Sequence, residues 1–497
     1  MSVGDDRIRF EVVPGNPRGP DMQAIFVGHC PGPVSREALA ADQALAATLS
    51  DMGHQERVRR WQDPAQPADE LYGLALPIRS LAQLQRLFPA MQLGDDADPL
   101  RPGPWLSWAV QDYFAAGRGR SDGRLCWVIR VPEAGAVSAS LDAFDARPRA
   151  VRHDPSTWGP VELACTLEDA GLLAMPDLER LLVPAPERDI ARKRLPNPSP
   201  AFQPCGTDLD DGHRERRYSS EMPGAAAALE PVRRIRDIAN RLHAWRPDLQ
   251  WLLALPAATE YELPLQHPRP ELLDWLRRAD ARHTPALAQV QFLFPLVYGE
   301  RRPLTSPAGL VAGHIVHRTG RDGVWRSVAG APLSDRLRPW PDLNRGARAV
   351  LREDPGLGVL HLAGGALQLD DERLVASGFC DAAGTACRSG ELMRFVGWLR
   401  RSLRRLGEEI VFTLDGRDPA IANMLDAFLF GLHRKGALRG VNAADAYRLT
   451  RIGNRPELVQ YRIEIAPSFP VDAFVVTFLH ERNANSPRWL WETPAHG

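Results

Sequence analysis

Apolar positions follow two different periods along this chain, and each change of period marks an element. Residues 22–28 (Met-Gln-Ala-Ile-Phe-Val-Gly) and 125–131 (Leu-Cys-Trp-Val-Ile-Arg-Val) are short, nearly continuous apolar runs, the pattern of buried strands. Comparable runs recur at 76–80, 171–178, 249–256 and 290–295. Between them, apolar residues return every three or four positions: Leu81, Leu84, Leu87 and Phe88; residues 105–114; residues 230–245; and the stripe Leu392, Phe395, Val396, Leu399, Leu403 and Leu406. Strands separated by helices predict an α/β core.

The densest patterning lies at 408–480. Residues 410–414 predict a short strand entering a polar turn, in which Asp418 caps a helix and Pro419 takes its first position. Ile421, Met424, Leu425, Phe428 and Leu432 give that helix one apolar face, and Gly436 and Gly440 punctuate its exit. Val459, Tyr461, Ile463 and Ile465 then alternate with Gln460, Arg462 and Glu464, and another strand covers 473–479. The order read here is strand, helix, strand, strand. At the other end, Ile8, Phe10 and Val12 alternate with Arg7, Arg9 and Glu11 before a Pro/Gly-rich tether at 14–20. That strand is either an arm or an edge of its own domain. Residues 183–224, rich in proline and charge, predict a long surface loop, and the tail from 481 is polar until Trp489, Leu490 and Trp491.

Composition adds bounds. A chain of 497 residues exceeds one ordinary core, so two or more domains, or one enlarged by insertion, are expected. Hydrophobic content of 44% and charged content of 25% are those of a soluble globular protein. Its 61 basic and 62 acidic residues give a net charge of -1, against a general nucleic-acid coat. Lysine occurs only at Lys193 and Lys435, which a GC-rich coding bias explains. Six cysteines without CxxC spacing read as reduced thiols, not as a disulfide framework or zinc site. There is no apolar run of the roughly 20 residues a membrane helix needs, and the first ten residues lack a secretory apolar region, so a cytoplasmic origin is expected.

Catalytic motifs are missing. The sequence has no GxSxG elbow on a strand-to-helix turn, since its one match to the bare pattern (119–123) falls between helix and strand, and no HExxH; Gly117 to Ser121 also lacks the GxxxxGK[ST] pattern. His314 and His317, three apart in an expected strand, would face opposite sides and share no metal. No enzyme, cofactor or metal is expected, although a hydrolase or binding protein on an α/β core stays an alternative because triads assemble only on folding.

Three segments in order, IVFTLDGRDP (410–419), GALRG (436–440) and IAPSFPVDAFVVTF (465–478), resemble the C-terminal domain of contractile tail sheath proteins of phages and related contractile injection systems. Two earlier blocks are also sheath-like: the aromatic-ended helix, glycine-rich turn and Arg-Val strand of 105–131, and PAGLVAG (307–313) with GVW (323–325). Residues 358–379 depart from the family pattern. The resemblance implies an α/β fold with a sheath-type core of mixed sheet flanked by helices, built from N- and C-terminal parts with a middle subdomain and extended terminal arms. The implied divisions are an N-terminal arm (1–20), a first core part (21–132), a middle subdomain (133–340), a C-terminal core domain (341–480) and a C-terminal arm (481–497). The last two strands would complete a core begun at 22–28.

By the same resemblance the protein would be a structural subunit of a contractile sheath that surrounds an inner tube and drives it through a target envelope. Its partners would be other sheath subunits in stacked rings, the inner tube protein and baseplate proteins, with no nucleic acid and no membrane insertion. It would assemble in the cytoplasm as part of a phage tail or tail-like particle. The short linker at 133–160, the altered 358–379 segment and the Trp-rich tail also suit a sheath-like baseplate or terminal adaptor subunit. Arg394, Arg401, Arg404 and Arg405, on the helix side away from its apolar stripe, are tube-interface candidates, with Arg434 and Lys435 on the next helix as rivals. Ile8, Phe10 and Val12 in one arm, and Trp489, Leu490 and Trp491 in the other, are the inter-subunit candidates.

Overall fold

Six parallel strands buried on both faces organise the protein. The computed structural model describes residues 22–61, 63, 69–91, 103–117, 124–134, 137–146, 158–181, 225–260, 263–278, 285–300, 302–376, 388–413, 419–452, 458–468, 474–481 and 488–492. In chain order the strands are β1 (Gln23–His29), β2 (Ala75–Ile78), β3 (Cys126–Val131), β4 (Ala170–Ala174), β5 (Gln250–Ala254), β6 (Ala257–Glu260), β7 (Leu263–Pro268), β8 (Val290–Phe294), β9 (Leu296–Gly299), β10 (Arg302–Thr305), β11 (Pro332–Ser334), β12 (Leu337–Trp340), β13 (Gly358–Ala363), β14 (Ala366–Leu369), β15 (Tyr447–Ile452), β16 (Leu458–Ile465), β17 (Phe474–Glu481) and β18 (Arg488–Glu492). The main sheet has 9 strands in the order β11-β14-β13-β8-β5-β4-β1-β3-β2. From β13 to β3 neighbouring strands run parallel, and β2 and β14 pair antiparallel at the flanks, so the sheet is mixed.

Strand period explains why both faces are dry. Ala24, Phe26, Val128, Leu172 and Leu252 enter one apolar cluster, and their neighbours Ile25, Val27, Ile129, Leu173 and Leu253 enter the other. Helices cover each side. On the first lie α1 (Trp105–Ala115), α4 (Ala308–Asp322), α5 (Gly390–Thr413) and α6 (Ala420–Arg434); on the second lies α3 (Ala225–Trp245). The short α2 (Pro176–Arg180) sits at the end of β4. The expected strands at 22–28, 125–131, 249–256 and 290–295 are β1, β3, β5 and β8.

Four expectations change. Residues 410–413 continue α5 and form no strand, because Leu399, Leu403 and Ile410 carry one helical stripe through them. The stretch 133–340 does not stand apart, since β4, β5 and β8 are central in the main sheet. The terminal strands do not complete the sheet begun by β1: they form a separate 4-stranded antiparallel sheet, β15-β16-β17-β18. Its Tyr461, Ile463 and Ile465 nevertheless join the cluster on the first face of the main sheet. His314 and His317 lie on helix α4, not on a strand, so three-residue spacing puts them near one face; among the described residues, no group of three metal-ligating side chains occurs.

Helices α1 and α4 meet at close range. A Cβ on Gly309 would collide with the Ala109 backbone, and one on Gly313 would stand 2.6 Å from the Tyr113 carbonyl oxygen. Alanine at Gly313 gains about 1 kcal/mol of helix propensity but forces the helices apart at an overpacking cost of about 1–3 kcal/mol. Gly313→Ala is therefore expected to be destabilising; a denaturant midpoint equal to or above wild type would contradict the packing argument.

Candidate interaction surfaces

The arginines of α5 hold the key to this region. Gly397 allows the helix to approach so closely that a Cβ there would strike the Asp248 carbonyl, in the turn leading into β5. From that distance Arg400 donates to the Pro247 carbonyl at 2.9 Å, and Arg401 reaches Asp248 Oδ2 at 3.1 Å while filling the space left by Gly171. Arg246 binds the same carboxylate at 2.8 Å. Burial alone would raise the Asp248 pKa, yet the two guanidiniums hold it down at about 2.

Two turns earlier, Arg394 is fully buried against an equally buried Glu372. Glu372 Oε1 also accepts from the Val328 amide at 2.6 Å and the Ser327 hydroxyl at 2.8 Å, and Arg394 reaches the Val324 and Arg326 carbonyls. Arg404 and Arg405, each about half exposed at 47% and 53%, pair with Glu168 and Asp169 in the turn before β4. Arg404 also donates to Glu408 at 3.0 Å.

This corrects the tube-interface reading for two of the four α5 arginines. Arg394 and Arg401, at 1% and 9% exposure, face the protein interior and cannot meet another molecule. Charge on a helix opposite an apolar stripe usually points to water; here the acidic turns at the amino ends of β4 and β5 cover it. Arg404 and Arg405 stay on the rim of that clasp.

Arg434 and Lys435 differ: both are exposed at the end of α6. Asn423, Ala427, Phe430 and Arg434 are the exposed residues along one line of this helix, and Phe430 is 44% exposed. Val441, 91% exposed, follows in the next loop, whose Gly440 carbonyl lies 3.0 Å from His433 Nε2. Sequence reading missed Phe430 and Val441. The signal was that Phe430 falls off the stripe of Ile421, Leu425 and Leu432, which is buried. The stretch 419–452 carries five basic residues, Arg434, Lys435, Arg439, Arg448 and Arg451, and two acidic ones, Asp426 and Asp445, so it is basic although the chain is nearly neutral.

Of the arm candidates, Ile8, Phe10 and Val12 lie outside the described residues. Trp489, Leu490 and Trp491 fall in β18, whose backbone pairs antiparallel with β17 at Phe478↔Trp489 and Val476↔Trp491. Strand β15, which sequence reading did not separate, forms the opposite edge of this sheet, with Arg448, Thr450 and Arg451 exposed along it.

No family model and no curated protein matches the sequence. Solved structures do match in shape. A chain of the anti-feeding prophage baseplate, solved with six-fold symmetry, is similar over 95% of this chain and 97% of its own, with 15% identity and a TM-score of 0.53. A chain of the anti-feeding prophage helical sheath in its contracted state is similar over the same shares, with 15% identity and a TM-score of 0.50. Over 95% of its length the protein has the fold of these chains from a contractile particle.

Two tests follow from the clasp. Arg394→Met strands a buried carboxylate and is expected to cost about 3–5 kcal/mol, whereas Arg405→Met on the rim should cost at most about 1 kcal/mol; equal losses in chemical denaturation would refute this ranking. Glu391, beside the pair, is pushed up to about 7 by burial and by the charge of Glu372. Its folded pKa exceeds its unfolded one, so this contribution to stability is whole at acid pH and is lost as pH rises through about 7. Glu391→Gln should therefore flatten part of the fall in thermal stability between about pH 5 and 8. The fully buried Glu179, raised to about 8, contributes to the part that stays. An unchanged slope would exclude Glu391 as a contributor.

Proposed function

We propose that this protein is a structural subunit of a contractile sheath, stacking in rings around an inner tube and driving it outward when the lattice contracts. The observation that carries the reading is likeness in fold over 95% of the chain to subunits of a contractile particle, one of them in a contracted helical sheath. Its role is mechanical: no step of it requires a nucleotide or metal, and the work comes from contacts that improve in the contracted lattice. Other copies of the chain, the tube protein and baseplate proteins are its partners. The particle is a phage tail or tail-like device assembled in the cytoplasm, and among the described residues no helix is long and apolar enough to cross a membrane.

The tube contact is assigned to the exposed end of α6, through Arg434 and Lys435 with Phe430 between them and the helix body. Paired charges across such a contact fix register and encounter without a permanent bond. The segments 1–20 and 481–497 serve as arms between neighbouring copies, using Ile8, Phe10 and Val12 at one end and Trp489, Leu490 and Trp491 at the other.

A second reading, a sheath-like subunit at the baseplate or terminal end, draws on the likeness to the baseplate chain. Electron microscopy of the purified protein with its tube separates the two: long ridged tubes for a main sheath, short rings for the specialised subunit. A protein that stays monomeric with tube present counts against both. The double change Arg434→Glu and Lys435→Glu should abolish sheathing of tubes while leaving the melting temperature within a degree or two of wild type, a surface effect of about 0.5 kcal/mol or less. Normal sheathing by that variant would remove α6 from the tube contact.

A further inference from the structure

Where β1 and β4 end, their onward connections leave for opposite faces of the sheet: residues 36–61 pack on the first face, α3 on the second. In open α/β sheets that divergence creates a crevice at the carboxyl ends of the strands, the usual place for a ligand. Here the crevice holds a carboxylate from the chain itself. Asp177, 0% exposed, accepts the His29 amide at 2.9 Å, the Trp105 amide at 2.8 Å and Arg180 Nε at 3.0 Å. Those donors come from the end of β1, the first residue of α1 and the end of α2. Gly28 makes the room: a Cβ there would stand 2.6 Å from Asp177 Oδ2. Arg180 is held in turn by Glu133 at 2.5 Å and by His29 Nδ1 at 2.8 Å.

We propose that this crevice is a carboxylate-binding site whose ligand is built in as Asp177. Two backbone amides and a guanidinium from three separate elements converge on one anion, the donor set that would receive a free carboxylate. Asp177 does the work of a bound ligand, joining β1, α1 and α2, and it closes the crevice to anything else. Trimming the side chain to its Cβ removes one carboxylate and leaves a space of formate's size and charge. The site is independent of the sheath reading and can fail without it.

The test is chemical rescue of Asp177→Ala. Its melting temperature should fall by roughly 5 °C, as loss of a buried charged acceptor implies in a chain of this length. Sodium formate at about 0.1 M should restore several degrees to the variant and none to wild type. Sodium chloride of equal ionic strength should restore neither. If the variant is recovered only as aggregate, refolding yield with formate against chloride is read instead. Asp177→Asn fills the space but offers one acceptor oxygen, so it should be destabilised and indifferent to formate. The proposal is overturned by equal formate effects on Asp177→Ala and wild type, by no effect on either melting temperature or yield, or by Asp177→Asn matching wild type in stability.

Discussion

The buried pair between Arg394 and Glu372 is the constraint on which the outer half of the molecule depends. Both side chains are fully dehydrated, which costs several kcal/mol per ion before any attraction is counted. The arrangement persists because each remaining polar atom of the pair is supplied with a partner, from the Val328 amide and Ser327 hydroxyl on one side to the Val324 and Arg326 carbonyls on the other. What the pair contributes is position more than stability. The apolar stripe of Leu392, Phe395, Val396, Leu399 and Leu403 would tolerate a small slide or rotation of α5 on the sheet; an arginine that must meet one carboxylate does not. Arg400 and Arg401 repeat the constraint two turns later against the Pro247–Asp248 turn. Everything outward of α5 inherits that register: Trp398 stacks on Phe428 of α6 at 6.1 Å, and α6 carries the four-stranded sheet.

How much of this was written in the order of residues differs sharply between core and surface. The main strands were legible because each is a short apolar run bounded by glycine, proline or charge, and α1, α3 and α6 because their stripes hold a single period. Residues 410–413 misled for a local reason: four successive residues of strand-forming type hide a helical stripe that only Leu399 and Leu403, upstream, reveal. The arginines of α5 misled for a non-local one. Spacing shows which side of a helix is polar, but whether that side meets water or Asp248, Glu372 and Asp169 depends on turns more than 150 residues away in the first case and 230 in the last. Phe430 is the converse case, an apolar residue left outside because its angle on α6 misses the stripe.

The charge pattern then separates two jobs that one basic helix was expected to share. Arginines of α5 neutralise the acidic turns at the amino ends of β4 and β5, and their charge is spent inside the protomer. Arg434 and Lys435, exposed at the end of α6, project their field outward, to a range of about 8–10 Å at ordinary ionic strength. Contacts inside are dry and geometrically exact in demand, whereas contacts outside are screened, reversible and long in reach.

The sheet carries the same logic at its other end. Its carboxyl edge, where an α/β enzyme would hold a substrate, is tied shut by Asp177, and its amino edge is tied by the α5 clasp, so both ends of the central strands are fastened by charge inside an apolar frame. Fastening both ends removes the freedom that a closing lid or an opening cleft needs. It leaves a body suited to transmitting force, because the protein interior is close-packed and yields little under load. Changes of shape then fall to contacts outside this fastened frame.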